Sequence, residues 1–216
     1  MEKDATVNKL MKKTKIIATI GPACSNRETL AQMKPFIDMA RFNYSHGSRE
    51  EHAHAIKLVR SVVGKKPFGV ILDLPGPKIR IGKAENTCIC LREGQRVTLT
   101  TSPVLSTPQE IFVNFKKFPQ LVSPGKTIYL ADELIELRVE SKRGRDVECI
   151  VVTGGEFGSN KGVTVPNTPI PAPALTKRDF EGLSLAIEED NIDFIAQSFV
   201  RSALDVRKAK KILAKA

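Results

Sequence analysis

The sequence changes its hydrophobic pattern twice, and these changes constrain the fold more than any other feature. Up to about residue 82, short apolar runs rich in β-branched residues alternate with segments of helical period, which is typical of a parallel sheet or barrel. From about residue 83 to 166, apolar and polar residues alternate instead, and glycine-containing turns separate the runs. Strand and helix patterns then return. The chain is therefore predicted to be a β/α domain that carries an all-β insert.

The predicted domains are 1–82, the first part of a β/α barrel, 83–168, an inserted β-barrel domain, and 169–216, a continuation of the β/α barrel. A complete barrel of this kind has eight strands, and the sequence supplies about half of them. The predicted fold class is thus α/β, a partial (β/α)8 TIM-type barrel of about four strands with an inserted all-β small barrel. The barrel strands are expected at 15–20, 36–41, 68–73 and 192–199, and the helices at 27–34, 49–63, 177–189 and 201–216.

Polar side chains gather where the second of these strands ends. Arg41, Asn43 and Ser45 alternate along the chain and would share one face of a strand, with His46 in the loop that follows. The planar fork of an arginine suits a phosphate, and the oxygens of asparagine and serine suit a hard cation. A surface turn before a capped helix is the plainer alternative for this stretch.

The third and fourth strands end in the same kind of residue. Asp73 ends the third strand and is followed by Lys78 and Arg80, while Ser198 lies at the end of the fourth and Arg201 follows it. Active sites of β/α barrels are built from polar groups at the C-terminal ends of their parallel strands. We therefore expect these side chains to contribute to one site.

The charge balance indicates an anionic partner. Lysine and arginine number 34 against 24 aspartate and glutamate residues, which gives a net charge of +10, and the last predicted helix carries much of the excess. Anionic metabolites and nucleic acids both attract such a chain. Nucleic acid is not expected, because the sequence has no tryptophan and the last predicted helix has no aromatic residues among its basic ones.

Location and redox state follow from two further features. No apolar run is long enough to cross a bilayer, and the first residues lack the apolar core of a signal peptide. We therefore expect a cytoplasmic protein with no membrane partner. The four cysteines show neither the spacing of a zinc site nor the density of a disulfide framework, and they are expected to be reduced thiols.

Five short segments stand out along the chain. They are 14–22 (Thr-Lys-Ile-Ile-Ala-Thr-Ile-Gly-Pro), 41–47 (Arg-Phe-Asn-Tyr-Ser-His-Gly), 72–80 (Leu-Asp-Leu-Pro-Gly-Pro-Lys-Ile-Arg), 160–163 (Asn-Lys-Gly-Val) and 198–201 (Ser-Phe-Val-Arg). Together they resemble the pyruvate kinase family, and their order and spacing hold over nearly the whole chain. The resemblance implies phosphoryl transfer from phosphoenolpyruvate to ADP, giving pyruvate and ATP in glycolysis, by an ATP-binding kinase that uses Mg²⁺ and K⁺.

The resemblance also implies roles for particular residues. It places Arg41 on the phosphate of phosphoenolpyruvate and makes Ser198 a second substrate-binding residue. The nucleotide is assigned to Asn43, His46, Arg80 and Lys161. A monovalent cation is assigned to Asn43, Ser45, Asp73 and the backbone carbonyl of Leu74.

One departure from the common family pattern bears on potassium. Leu74, Lys78 and Ile81 stand where potassium-dependent members have threonine, glutamate and threonine, and they match a potassium-independent branch. The ammonium group of Lys78 could supply, next to Asp73, the positive charge that a bound ion otherwise gives. We therefore expect that K⁺ is not required; an exposed lysine without this role is the alternative.

The family's catalytic lysine and its glutamate and aspartate ligands for Mg²⁺ have no counterpart in these 216 residues. Mg²⁺ ordinarily bridges the phosphates in such transfers. The resemblance therefore implies that this polypeptide alone is inactive or nearly so, although its parent enzyme is a pyruvate kinase.

Two other functions stay open at this stage. The chain could be a non-catalytic half-barrel that binds nucleotide or phosphate and pairs with another chain, or an interaction module whose β insert binds a partner. An open four-stranded sheet exposes an edge and an apolar face. The resemblance implies phosphoenolpyruvate and ADP or ATP as partners. The open sheet adds an expected partner chain, either further copies of this chain or the missing half of the barrel.

Overall fold

The computed structural model describes residues 14–64 and 67–214. The chain divides into two compact units. The first unit combines Met1–Gly76 with Pro173–Ala216, and the second is Pro77–Ala172. The second unit is therefore inserted into the sequence of the first.

The second unit is longer than the predicted insert, 83–168, at both ends. Ile79 and Ile81 are 3% and 1% exposed and belong to the core of the second unit, although the sequence assigned them to the first part of the barrel. Ile170, beyond the other predicted boundary, packs against the same core. The boundary follows the packing of these isoleucines, which the change in hydrophobic pattern does not reveal.

Five elements precede the second unit, and both helices among them begin at residues whose side chains cap the helix. Asn26 accepts a hydrogen bond from the backbone N–H of Thr29 at 2.9 Å, and Ser48 forms a reciprocal capping box with Glu51. The elements are β1 (Ile17–Thr19), α1 (Arg27–Met33), β2 (Met39–Asn43), α2 (Arg49–Val63) and β3 (Gly69–Leu74).

The remaining elements complete both units. The second unit contains β4 (Ile89–Leu91), β5 (Arg96–Thr100), β6 (Glu110–Phe112), α3 (Phe118–Leu121), β7 (Thr127–Leu130), β8 (Ile135–Arg143), β9 (Asp146–Thr153), β10 (Gly155–Phe157) and β11 (Val163–Thr164). The chain then returns to the first unit with α4 (Lys177–Glu188), β12 (Phe194–Gln197) and α5 (Ala203–Leu213).

The first unit is built on a four-stranded parallel sheet in the order β1-β2-β3-β12. Alternate residues of each strand point to opposite faces. One face packs against the helices, whereas the other carries the partly exposed Arg41 and Asp73. The predicted α/β class with a partial barrel is confirmed by this sheet. Its buried face is formed by Ala40, Phe42, Val70, Leu72 and Leu74.

The second unit is built from β-strands and the short helix α3. Six strands pair in the order β11-β7-β8-β9-β5-β6, and β4 pairs with β10. Residues 79–82 bridge the two outer strands of the six, because Gly82 N–H donates to Phe112 at 2.8 Å and Val163 N–H donates to Ile79 at 3.0 Å. Residues that lie before the predicted insert therefore close its barrel.

Element boundaries differ from the predictions where the apolar runs are short. The strand predicted at 36–41 is observed as β2, three residues further along, because Phe36 is 68% exposed and parallel pairing with both neighbours starts at Met39. The three-residue strands β6 and β10 and the short helix α3 were not predicted. The helix predicted at 201–216 is observed as α5, and residues 215–216 lie outside the described part of the chain.

All four cysteines are free, in agreement with the sequence. Cys88 and Cys90 are exposed, whereas burial in the second unit raises the pKa of the Cys149 thiol to about 12. Within residues 14–64 and 67–214, no helix has the length and apolar character to span a membrane.

A buried carboxylate joins the two segments of the first unit. Asp179 is fully buried in the first turn of α4. Its side chain accepts hydrogen bonds from the backbone N–H of Gly76 at 3.0 Å and from the N–H of Thr176 at 2.6 Å. The point where the chain leaves the first unit is thereby fixed to the point where it returns.

Replacing Asp179 with alanine is predicted to destabilise the first unit. The Asp179→Ala variant would leave the buried N–H of Gly76 without a partner and would break the capping box of α4. We expect the free energy of unfolding to fall by about 2–4 kcal/mol, measured by urea unfolding followed by circular dichroism.

The matched control is Asp205→Ala. Asp205 occupies the equivalent position of α5 and accepts from the N–H of Ser202 at 3.0 Å, but it is only half-buried. Its loss should lower stability less than the loss of Asp179. Equal unfolding midpoints for the two variants would contradict a special role for the buried carboxylate.

Candidate functional site

Arg41 and Asp73 form an ion pair on the open face of the first unit's sheet. The Arg41 Nε donates to Asp73 Oδ2 at 3.0 Å, and Nη2 contacts the same oxygen. The Arg41 side chain is 33% exposed and that of Asp73 is 16% exposed. The Arg41 Nη1 also donates to Thr19 Oγ1 at 2.8 Å, because β1 places Thr19 beside Arg41. The guanidinium group is thus oriented by two neighbouring strands.

Ser198 completes this group from the fourth strand. β12 pairs with β3 in parallel, so the residue after β12 arrives beside the end of β3. The Ser198 Oγ donates to Asp73 Oδ1 at 3.3 Å. The structure therefore brings Arg41, Asp73 and Ser198 together, as expected for side chains at the C-terminal ends of parallel strands. We call these three residues the strand-end cluster.

The loop after β2 makes hydrogen bonds within itself and to β3. The Asn43 side-chain oxygen accepts from the backbone N–H of Ser45 at 3.0 Å, and Tyr44 N–H donates to the Asp73 carbonyl at 2.9 Å. His46 is exposed. Leu74, the fourth predicted cation ligand, has its side chain in the core at 1% exposure.

Two residues that the sequence argument did not single out hold this loop in place. The His52 ring lies 4.9 Å from the Tyr44 ring, and its Nε2 donates to the His46 carbonyl at 2.7 Å. The guanidinium carbon of Arg178 lies 4.2 Å from the centre of the Tyr44 ring, and its Nε donates to the Tyr44 carbonyl at 3.1 Å. The loop is therefore braced from both α2 and α4.

Burial of Tyr44 disfavours ionisation of its phenol. Its side chain is fully buried, and desolvation raises the pKa of the phenol despite the nearby charge of Arg178. Its hydroxyl group is the buried polar side-chain atom without a hydrogen-bond partner among the described residues. Tyr44 therefore supports the loop as a packed aromatic ring, and its raised pKa makes it a weaker acid than an exposed tyrosine.

The other predicted site residues, Lys78, Arg80 and Lys161, belong to the second unit. Arg80 Nη1 donates to the Asn160 carbonyl at 2.8 Å. Ile81 N–H donates to the Lys161 carbonyl at 2.9 Å, and Arg80 forms an isolated antiparallel bridge with Gly162, so Arg80 and Lys161 lie on adjacent paired segments. The Lys78 Cε lies 3.5 Å from the position that a Cβ would take at residue 162. The three basic residues therefore share one region of the second unit.

Comparison with known proteins decides the family. A model of the pyruvate kinase barrel domain matches residues 11–216. The chain belongs to the pyruvate kinase family. The predicted resemblance is thereby confirmed.

Individual pyruvate kinases are similar over almost the whole chain. The pyruvate kinase of Thermococcus litoralis is 48% identical over 206 residues, which is 94% of this chain and 43% of that protein. Those of Bacillus licheniformis and Staphylococcus haemolyticus are 39% and 38% identical over 208 residues, 94% of this chain and 35% of each relative. The chain spans less than half the length of these pyruvate kinases.

Because Arg41 is paired with Asp73, we predict that an added anion competes with the Asp73 carboxylate for Arg41. In the Asp73→Asn variant the guanidinium loses its anionic partner, so inorganic phosphate should bind about threefold to tenfold more tightly at low ionic strength. Arg41→Gln should abolish that binding. Isothermal titration calorimetry measures both.

Lys15→Gln is the control for Arg41→Gln, because each variant removes one positive charge from an ion pair of the first unit. The ion pair of Lys15 with Asp38 is the more exposed of the two. Its phosphate affinity should match that of the unmodified chain. An Asp73→Asn variant with unchanged phosphate affinity would show that the ion pair does not limit access to Arg41.

Proposed function

We propose that this chain forms the phosphoenolpyruvate-binding part of a cytoplasmic, glycolytic pyruvate kinase, which transfers a phosphoryl group to ADP and yields pyruvate and ATP. The strand-end cluster carries this proposal. It presents a guanidinium group, a carboxylate and a hydroxyl at the strand ends where barrel enzymes act. The kinase-family match supports the same reaction.

The residues would act mainly by positioning and by neutralising charge. Arg41 would bind the phosphate of phosphoenolpyruvate, since its fork can contact two oxygens at once. Asp73 and Thr19 keep that fork oriented before substrate arrives, which reduces the reorganisation required at the transition state. Ser198 would add a hydroxyl donor to the substrate. Phosphoryl transfer depends on such placement more than on covalent chemistry by the protein.

We propose that Arg80 and Lys161 of the second unit contact the phosphates of the nucleotide. The pairing of their two segments supports this proposal, because two neighbouring cations suit a polyphosphate. Asn43 and His46 of the first unit stay predicted nucleotide ligands. Neither cation has an ion-pair partner among the described residues.

The proposed monovalent cation site has suitable donors. Asn43, Ser45, Asp73 and the Leu74 carbonyl offer only oxygen ligands, which hard cations prefer. The carboxylate of Asp73 already contacts Arg41, so a bound ion would share it with the guanidinium group. This competition supports the proposal that K⁺ is not required. That the ammonium group of Lys78 takes its place stays a prediction.

For magnesium, the described residues offer no comparable set of ligands. No group of three or more His, Cys, Asp and Glu side chains within residues 14–64 and 67–214 stands ready to hold a metal ion. In the parent enzyme Mg²⁺ would neutralise phosphate charge. We propose that its ligands, like the catalytic lysine, come from outside the segments matched here, so that this polypeptide alone does not turn over.

We also propose that further strands complete the sheet of the first unit. Within the described residues, β1 and β12 each pair with one neighbour, and Ile17 and Phe194 on these strands are 51% and 49% exposed. Open edges and exposed apolar side chains favour association. The partner is either a second copy of this chain or the remaining half of the barrel.

The proposed function predicts binding without turnover for the 216-residue chain. A lactate dehydrogenase-coupled assay should show no pyruvate formation, while calorimetry should detect both phosphoenolpyruvate and ADP. Arg41→Gln should abolish phosphoenolpyruvate binding and leave ADP binding, and Lys15→Gln should change neither. Pyruvate formation would contradict the expected inactivity. Loss of both binding signals in the unmodified chain would favour an interaction module.

The potassium proposal predicts a result for a longer chain that includes the remaining barrel. Its pyruvate kinase rate should change less than about twofold when K⁺ replaces another monovalent cation at fixed ionic strength. Lys78→Glu should make the rate depend on K⁺, whereas Lys83→Glu, an equal charge change at an exposed position nearby, should not. A large K⁺ activation of the unmodified enzyme would contradict the proposal.

A further inference from the structure

A cavity of about 460 Å³ lies in the first unit between α4, α5 and the proline-rich segment that leads into α4. We call it the α4–α5 cavity. Its volume falls within the range of about 300–1,000 Å³ that is typical of small-molecule sites. None of its lining residues belongs to the strand-end cluster or to the predicted nucleotide and cation ligands.

The floor and one wall of the α4–α5 cavity are apolar. Ala174 and Leu175 form buried surface at 4% and 7% exposure. Phe180, on α4, is 50% exposed, and it lines the cavity together with the half-buried Ile212 of α5. An exposed phenylalanine beside buried apolar residues provides a flat surface for an apolar ring.

The rim is positively charged. Lys208 and Lys211 are exposed on one face of α5, three residues apart, and both line the cavity. Neither has an ion-pair partner within the described residues. Asp205 is the acidic residue that lines the cavity. Its Oδ2 already accepts hydrogen bonds from the backbone N–H groups of Arg201 and Ser202. The rim therefore offers two cationic groups to a ligand.

We propose that the α4–α5 cavity binds an aromatic monocarboxylate, with its ring on Phe180 and Leu175 and its carboxylate between Lys208 and Lys211. The apolar lining excludes a strongly hydrated polyanion as the best ligand, because such a ligand would leave the floor uncovered. A neutral aromatic compound would leave the two ammonium groups without a partner. A ligand with both an apolar ring and one negative charge satisfies both parts of the cavity.

The test uses 2-naphthoate, with the neutral 2-naphthamide as its control ligand. Titrations followed by ¹H–¹⁵N NMR of the full chain should move amide signals of α4 and α5. Naphthoate should bind about tenfold more tightly than the amide at low salt, and this difference should shrink as salt is added.

Two matched variants separate the charge from the apolar surface. Lys208→Gln combined with Lys211→Gln should reduce naphthoate affinity to that of the amide. Arg207→Gln combined with Lys210→Gln removes the same charge from α5 at positions that do not line the cavity, and it should leave both affinities within about twofold. Phe180→Ala should weaken both ligands together.

The proposal fails if naphthoate and naphthamide bind equally, or if both double variants lose affinity to the same extent. It also fails if the shifted amides lie on the open face of the sheet instead of on α4 and α5. Circular dichroism of each variant checks that its helices are intact, and any variant that loses helicity is replaced by the corresponding single substitution.

Discussion

The carboxylate of Asp179 is the contact on which the arrangement of the first unit depends. The chain leaves this unit at Gly76 and returns at Pro173, and Asp179 binds the backbone on both sides of that interruption. Because the carboxylate is buried, water does not compete for its hydrogen bonds. The segment after β3 is thereby held against the start of α4, and the C-terminal end of β3, with Asp73, keeps a fixed position.

The arrangement of the first unit also depends on the close packing of α4 against the sheet. A Cβ at residue 182 would lie 2.7 Å from Leu74 Cδ2 and 3.1 Å from Tyr44 Cδ1, so only glycine allows this helix to pack so closely. Arg178 then reaches the Tyr44 ring. The loop that carries Asn43 to His46 thus depends on packing from beneath, and the ion pair of Arg41 and Asp73 depends on the register of the strands. Substrate phosphate would have to compete with a partner that also orients the guanidinium group.

Much of this could be predicted from the sequence, and the exceptions have physical causes. The alternation of strand and helix identified the partial barrel, and Thr176 followed by Asp179 is a capping-box signal that could have identified the buried acid. Thr19 was missed because its role depends on lying beside Arg41 in the register of β1 and β2. The start of β2 was misplaced because an exposed Phe36 resembles the first residue of a buried strand. Periodicity shows which side chains share a face, whereas register and close helix packing depend on contacts between distant segments.

The closure of the second unit by residues 79–82 explains how one folded domain can sit within another. The hydrogen bonds of Ile79 with Val163 and of Ile81 with Lys161 hold the first residues of the second unit beside the segment that leads into β11. These closing bonds lie within Pro77–Ala172. Bonds that lie within one domain are kept when that domain is moved to another host, so the second unit has the architecture of a module that can be transferred as a whole.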